Sequence, residues 1–137
     1  MGFHIKYKVR ITTQGGLKLT RQEVFYWVKE QYGTDPEYPW KDQNAVLRNK
    51  NNNKWYAVIL KVSRNKLGLT GESMMDIINV KSDPILIGAF RMQDGFFPAY
   101  HMNKDKWISI ALDRPELDHE IKNLVDMSYQ IVKGKHS

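Results

Sequence analysis

The stretch "FPAYHMNKDKW", Phe97 to Trp107, gathers a histidine, an asparagine, two lysines and three large aromatic side chains within a few residues of one another. Such a set could orient a histidine for proton transfer, pair with phosphates, or form a crowded polar turn. His101 is the one histidine whose neighbours are candidates to orient it. His4 lies in the N-terminal segment, His119 in an acidic helical turn and His136 in the tail, and no two stand at the i, i+4 spacing of a helical metal pair. Glu116 and His119 make a single Glu-x-x-His, whereas a di-iron bundle needs two of these and further carboxylates. No nucleophile elbow, P-loop or dinucleotide fingerprint occurs. Asp42, Asp76 and Asp113 are far apart in the chain, and sequence alone does not pair them. These residues therefore support no catalytic set, no metal site and no cofactor, and the chain reads as a non-enzymatic protein.

Charge is more informative. The chain carries a net +6, and residues 41–71 hold Lys41, Arg48, Lys50, Lys54, Lys61, Arg64 and Lys66 against Asp42 alone. That segment equals the excess of the whole chain, which is the electrostatic footprint of a polyanion contact or of a solvated, lysine-covered sheet face. Trp40, Trp55, Tyr56 and Trp107 lie beside Lys41, Lys54 and Lys106. Interleaved rings and cations can stack bases while pairing phosphates, or the rings can fill a core with lysine stems lying over them. Trp107 opens an apolar strand and reads as core; Trp55 fits either description.

The elements that must position these residues follow from local signals. At 137 residues the chain is long enough for one domain with a full core. It has no cysteine, which excludes disulfides and thiolate chemistry and fits a reducing, cytoplasmic setting. No apolar run has the length of a membrane span, and the N-terminus lacks the apolar segment of a secretory signal. Thr20 and Glu23 have capping-box spacing, Val24, Trp27, Val28 and Tyr32 recur at helical intervals, and Gly33 suits a left-handed stop. "AVLRNK" and "KWYAVILKV", joined through "NNN", predict a β-hairpin. The second strand is apolar on both sides, with Tyr56, Val58 and Leu60 on one and Ala57 and Ile59 on the other, so it should be central. "SRNKLGL" predicts a short strand or turn and "MMDIINVK" a further strand. "SDPILIGAF" predicts a short helix capped by Ser82 or Asp83 with Pro84 in its first turn. "PELDHEIKNLVDMSYQIVKGK" predicts a long helix, with Leu117, Ile121, Leu124, Val125, Ser128, Ile131 and Val132 on one face. The order implies an α+β domain, a twisted antiparallel sheet with helices packed on one face, over residues 19–135. Residues 1–18 read as a basic arm or linker, or the remnant of an upstream domain.

The strings "YPWKDQNAVLRNKNNNKWYAVILKV", "DIINVKSDP", "FFPAYHMNKDKWISIALD" and "ELDHEIKNLVDMSYQIV", in this order from Leu19 to Val132, resemble the MmcQ/YjbR family. The resemblance implies a fold similar to the bacterial frataxin CyaY and a DNA-binding role through a "double wing" of β-hairpins. One position departs from the pattern: Lys106 stands where a histidine would be expected before the tryptophan.

Two functional classes follow. The first is a DNA-binding module contacting phosphates through Lys41, Arg48, Lys50, Lys54, Arg64, Lys66, Lys104 and Lys106. The second is a small-molecule or protein-interaction module with a pocket at Tyr100, His101, Asn103 and Lys104. Iron binding would need clustered carboxylates; the acidic residues Glu116, Asp118 and Glu120 are explained by the start of the last helix.

Overall fold

Thr20 caps the first helix, α1 (Arg21–Tyr32): its hydroxyl accepts from the Glu23 N–H, and the Glu23 carboxylate accepts from the Thr20 N–H at 3.0 Å. Gly33, at φ 72°, closes the helix in the left-handed conformation that glycine adopts without strain. These elements belong to a computed structural model that describes residues 20–134. The arm or linker expected over residues 1–18 lies outside the described residues.

The predicted hairpin forms as β1 (Ala45–Arg48) and β2 (Trp55–Ser63). "MMDIINVK" forms β3 (Met74–Lys81), and β4 (Phe96–Pro98) and β5 (Trp107–Ala111) complete one antiparallel sheet in the order β1-β2-β3-β5-β4. "SRNKLGL" makes no strand; Arg64–Leu67 is a 3-10 turn closed by Gly68. Asp83 caps α2 (Pro84–Arg91) by accepting from the Ile85 N–H at 3.0 Å. After a further 3-10 turn at Pro115–Leu117 comes α3 (Asp118–Lys133).

The helices share one face of the sheet. Val24 and Val28 of α1, Ile87 of α2, and Ile121, Leu124, Val125 and Val132 of α3 pack against Ala57, Ile59, Ile78, Val80, Ile108 and Ile110. A second apolar layer, with Val46, Val58, Leu60, Val62, Met75 and Ile77, lines the opposite face, where Trp55, Leu67, Leu69, Phe97, Tyr100 and Met102 partly cover it without a helix.

Two side chains differ from the predicted faces. Tyr56 packs with the helices instead of beside Val58 and Leu60. Register runs Leu47 opposite Ala57 and then Arg48 opposite Trp55, so Tyr56 is the extra residue of a β-bulge, and the bulge rotates it across the sheet while Trp55 joins the helix-free side. Ser128, buried on α3, completes the bulge: its hydroxyl donates to the Tyr56 carbonyl at 2.5 Å and accepts from the Lys81 N–H at 2.8 Å. Ile131 points outward, 38% exposed, although Val132 beside it is buried.

Candidate nucleic-acid interface

The loop joining β1 to β2 is built by its asparagines. Buried Asn49 accepts from the Asn51 and Asn52 N–H groups at 2.8 and 3.3 Å. Asn52 accepts from the Lys54 N–H at 3.0 Å and donates to the Val132 carbonyl at 2.9 Å. Asn49 and Asn52 therefore shape the tip and tie it to α3, leaving Asn51 exposed between Lys50 and Asn52. Lys50 and Lys54 are held on a defined turn.

Strand register brings other lysines to the same end. β2 begins there at Trp55, β3 ends there at Lys81, and Lys81 pairs with Trp107 at the start of β5, directly after Lys106. Lys133 lies in the last turn of α3, next to the Val132 carbonyl that receives the hairpin. Lys81 and Lys106 also line one shallow cleft with Ser82, Asp83, Pro84 and Ile131. Among the described residues no carboxylate forms an ion pair with Lys50, Lys54, Lys81, Lys106 or Lys133. Asp83, two residues after Lys81, accepts from the backbone of α2, and Asp105, directly before Lys106, is in no ion pair with these lysines. We call this region the lysine end of the sheet.

Of the eight cations that the sequence points to, Lys50, Lys54 and Lys106 are at this end. Arg48 is near it but engaged: its guanidinium pairs with Glu37 at 2.8 Å, donates to the Asn53 carbonyl at 3.3 Å and lies over the Trp55 ring at 5.7 Å. Arg64 and Lys66 follow the far end of β2, roughly 26 Å away along a nine-residue strand at about 3.3 Å per residue. There Arg64 faces Asp113 at 3.7 Å. Lys66 and Lys104 line a different recess with Leu67, Phe97, Pro98 and Tyr100, and the Lys104 ammonium donates to the Ala99 carbonyl at 2.9 Å. Lys41 follows Trp40, with φ at 59°. Lys61, the remaining cation of the basic segment, pairs with Asp76, which also binds Arg21 at 2.9 Å. The even-looking basic run is thus divided between paired and unpaired cations. Lys81 and Lys133 carry no local signal for a site; only strand pairing and the seating of α3 reveal them.

The residues of the alternative pocket divide between two recesses: Tyr100 and Lys104 line one and His101 another, although the Tyr100 and His101 rings meet with centroids 4.0 Å apart. The buried pair Asn79 and Ser109 stand opposite each other on β3 and β5 and clamp the Tyr100 backbone: Asn79 donates to its carbonyl at 2.9 Å and Ser109 accepts from its N–H at 2.9 Å. His101 follows at φ 61° and lines a recess with Trp40, Asn44, Trp55, Val58, Leu60 and Met102. Asn103 is a turn former, accepting from the Asp105 N–H through its side chain and from the Trp107 N–H through its carbonyl. Trp107 itself is buried. Among the described residues no three histidine, aspartate or glutamate side chains come together as a metal site, and no helix is long and apolar enough to cross a membrane.

The family described as YjbR matches residues 29–131. The uncharacterised protein YyaQ of Bacillus subtilis is 44% identical over 117 residues, which cover 84% of this chain and 99% of that one. A crystal structure of a Pseudomonas syringae protein superposes with a TM-score of 0.79 at 37% identity, covering 82% of this chain and 97% of the other. The fold extends to the Deinococcus radiodurans protein DR2400, a DUF419 domain, with a TM-score of 0.65 at 20% identity over 86% of this chain and 81% of that one. With three quarters of its residues inside the family match and near-full coverage of its curated relative, this chain belongs to the YjbR family.

Proposed function

We propose that this chain is a non-enzymatic nucleic-acid-binding protein that holds phosphates at the lysine end of its sheet. One observation carries the proposal: Lys50, Lys54, Lys81, Lys106 and Lys133 come from four separate stretches of the sequence to one end of the domain, and no described carboxylate pairs with them. Elsewhere this protein pairs its cations readily, as Arg21, Arg48, Lys61 and Arg114 do. Lysines without a carboxylate partner on a rigid frame suit an external polyanion, whose bound counterions they release. Their spread over a hairpin tip, two strand ends and a helix end matches repeated charges along a backbone better than a single phosphate. Asn51, exposed at the tip, can add a hydrogen bond to sugar or phosphate.

The test is fluorescence polarisation of a labelled short duplex and of its single strand, across a salt series. Wild type should bind at low salt and weaken steeply as salt rises, and Lys50→Glu with Lys54→Glu should weaken binding and flatten that dependence. Absence of salt-dependent binding by wild type to either probe refutes the proposal.

A further inference from the structure

The helix-free face of the sheet carries a recess of about 430 Å³ that phosphate contacts alone leave unused. Val58 and Leu60 of β2 contribute its apolar sheet surface, Trp40 and Trp55 an aromatic side, and His101 and Met102 reach it from the loop after β4. Trp40 and Trp55 meet edge to face, with centroids 5.9 Å apart at 89°, yet Trp40 remains 47% exposed. A large indole left half open beside an apolar sheet offers a stacking surface.

Left-handed backbone occurs at the recess and at chain neighbours of its tryptophans. Among the described residues the non-glycine positions with positive φ are Lys41, Asn53 and His101. Lys41 follows Trp40, Asn53 precedes Lys54 and Trp55, and His101 lines the recess itself. Asparagine and histidine enter this region more readily than most residues, but a lysine there is uncommon and persists where its surroundings enforce it. The Asn79–Ser109 clamp on Tyr100 is such an enforcement for His101, since it fixes the peptide immediately before it.

The lining selects for shape. Two indoles, an imidazole and a thioether favour a flat π-system, and the Asn44 carboxamide is already committed to the Lys61 N–H and to Asp42. No lysine lines the recess itself, but Lys41 and Lys54, exposed chain neighbours of the two tryptophans, carry long side chains that suit the phosphates flanking a bound ring. We infer that the recess takes an unpaired nucleobase, so that the protein holds single strands in preference to duplex; this rests on the phosphate-binding reading above. A base within a duplex is stacked and paired and cannot enter without being extruded.

The experiment compares a labelled oligothymidylate, the same strand with abasic sites, and a duplex of equal length. The thymidylate strand should bind about tenfold more tightly than the abasic strand and quench tryptophan fluorescence, consistent with stacking of one base on an aromatic side chain. Trp40→Ala should erase that advantage, and Lys54→Glu should weaken both strands alike. Trp40→Leu provides the same comparison if the alanine variant fails to fold. Equal affinity for the two strands, or an advantage that survives loss of the Trp40 ring, overturns the inference and leaves the phosphate reading standing. No salt-dependent binding of any probe overturns both.

Discussion

The Asn52 side-chain nitrogen stands 2.9 Å from the carbonyl oxygen of Val132, fastening the tip of the β1–β2 hairpin to the last turn of α3. The lysine end therefore has a scaffold: Lys50 and Lys54 ride on a turn whose geometry depends on a helix 80 residues away. Asn52→Ala removes that tie and the local bond to Lys54. It should cost about 1 kcal/mol of stability, the ordinary net worth of such hydrogen bonds, read from urea denaturation. Amide exchange should rise at residues 50–54 while the interior of β2 stays protected.

Ser128 holds the bulge. Replacing it by alanine leaves the Tyr56 carbonyl and the Lys81 N–H without their buried partner, so Ser128→Ala should destabilise by about 1–3 kcal/mol in the same assay. A cost near zero would mean that the sheet can realign at the bulge.

Three tyrosines pack together at the helix side: Tyr32 stacks on Tyr129 at 3.9 Å, and both meet Tyr56 edge to face. Burial, then the hydrogen bond to Asp126, pushes the Tyr32 phenol well above its ordinary value of 10.0; burial, only partly offset by the Thr34 hydrogen bond, raises Tyr56 likewise. A phenol whose folded pKa is raised contributes stability that is fully present below the unfolded value and is lost as pH rises beyond it. Stability should therefore fall above about pH 10, where the unfolded chain ionises first. Tyrosinate absorbance from Tyr32 and Tyr56 should appear together with unfolding; a smooth titration of both phenols in the folded protein would contradict the burial argument.

His101→Gly should stabilise the fold by relieving the left-handed backbone, by roughly 1 kcal/mol and measurable as a raised urea midpoint. The same change removes a ring from the recess. If stacking there matters, the glycine variant gains stability while its affinity for unpaired strands falls.

Much of the frame is legible in the sequence because its signals are local. Thr20 with Glu23, Gly33, Asp83 before Pro84, and the "NNN" connection each announce an element through a cap or turn, and each stands where expected. Tyr56 falls on the unexpected face because a bulge depends on register between two strands, and alternation counted along one strand cannot detect it. The site is less legible still. Residues 41–71 suggest one basic surface, but Glu37, Asp76 and Asp113, which partner Arg48, Lys61 and Arg64, come from outside that segment. Lys81 and Lys133 are ordinary in sequence and reach the lysine end only through the pairing of β3 with β5 and the seating of α3. His101 stands out in the sequence for its neighbours, and the Tyr100 ring does meet it, yet Asn103 is a turn former, and the other residues that join His101 are Trp40, Trp55 and Met102.

Whether the lysine end holds phosphates is read from the salt dependence of binding to a short single strand, wild type against Lys50→Glu with Lys54→Glu. Wild type should show log affinity falling linearly with log salt. The double variant should bind more weakly, with a slope shallower by about 0.7 for each single-strand phosphate it no longer neutralises. Identical slopes for the two proteins, or no binding by wild type at low salt, would contradict phosphate binding there.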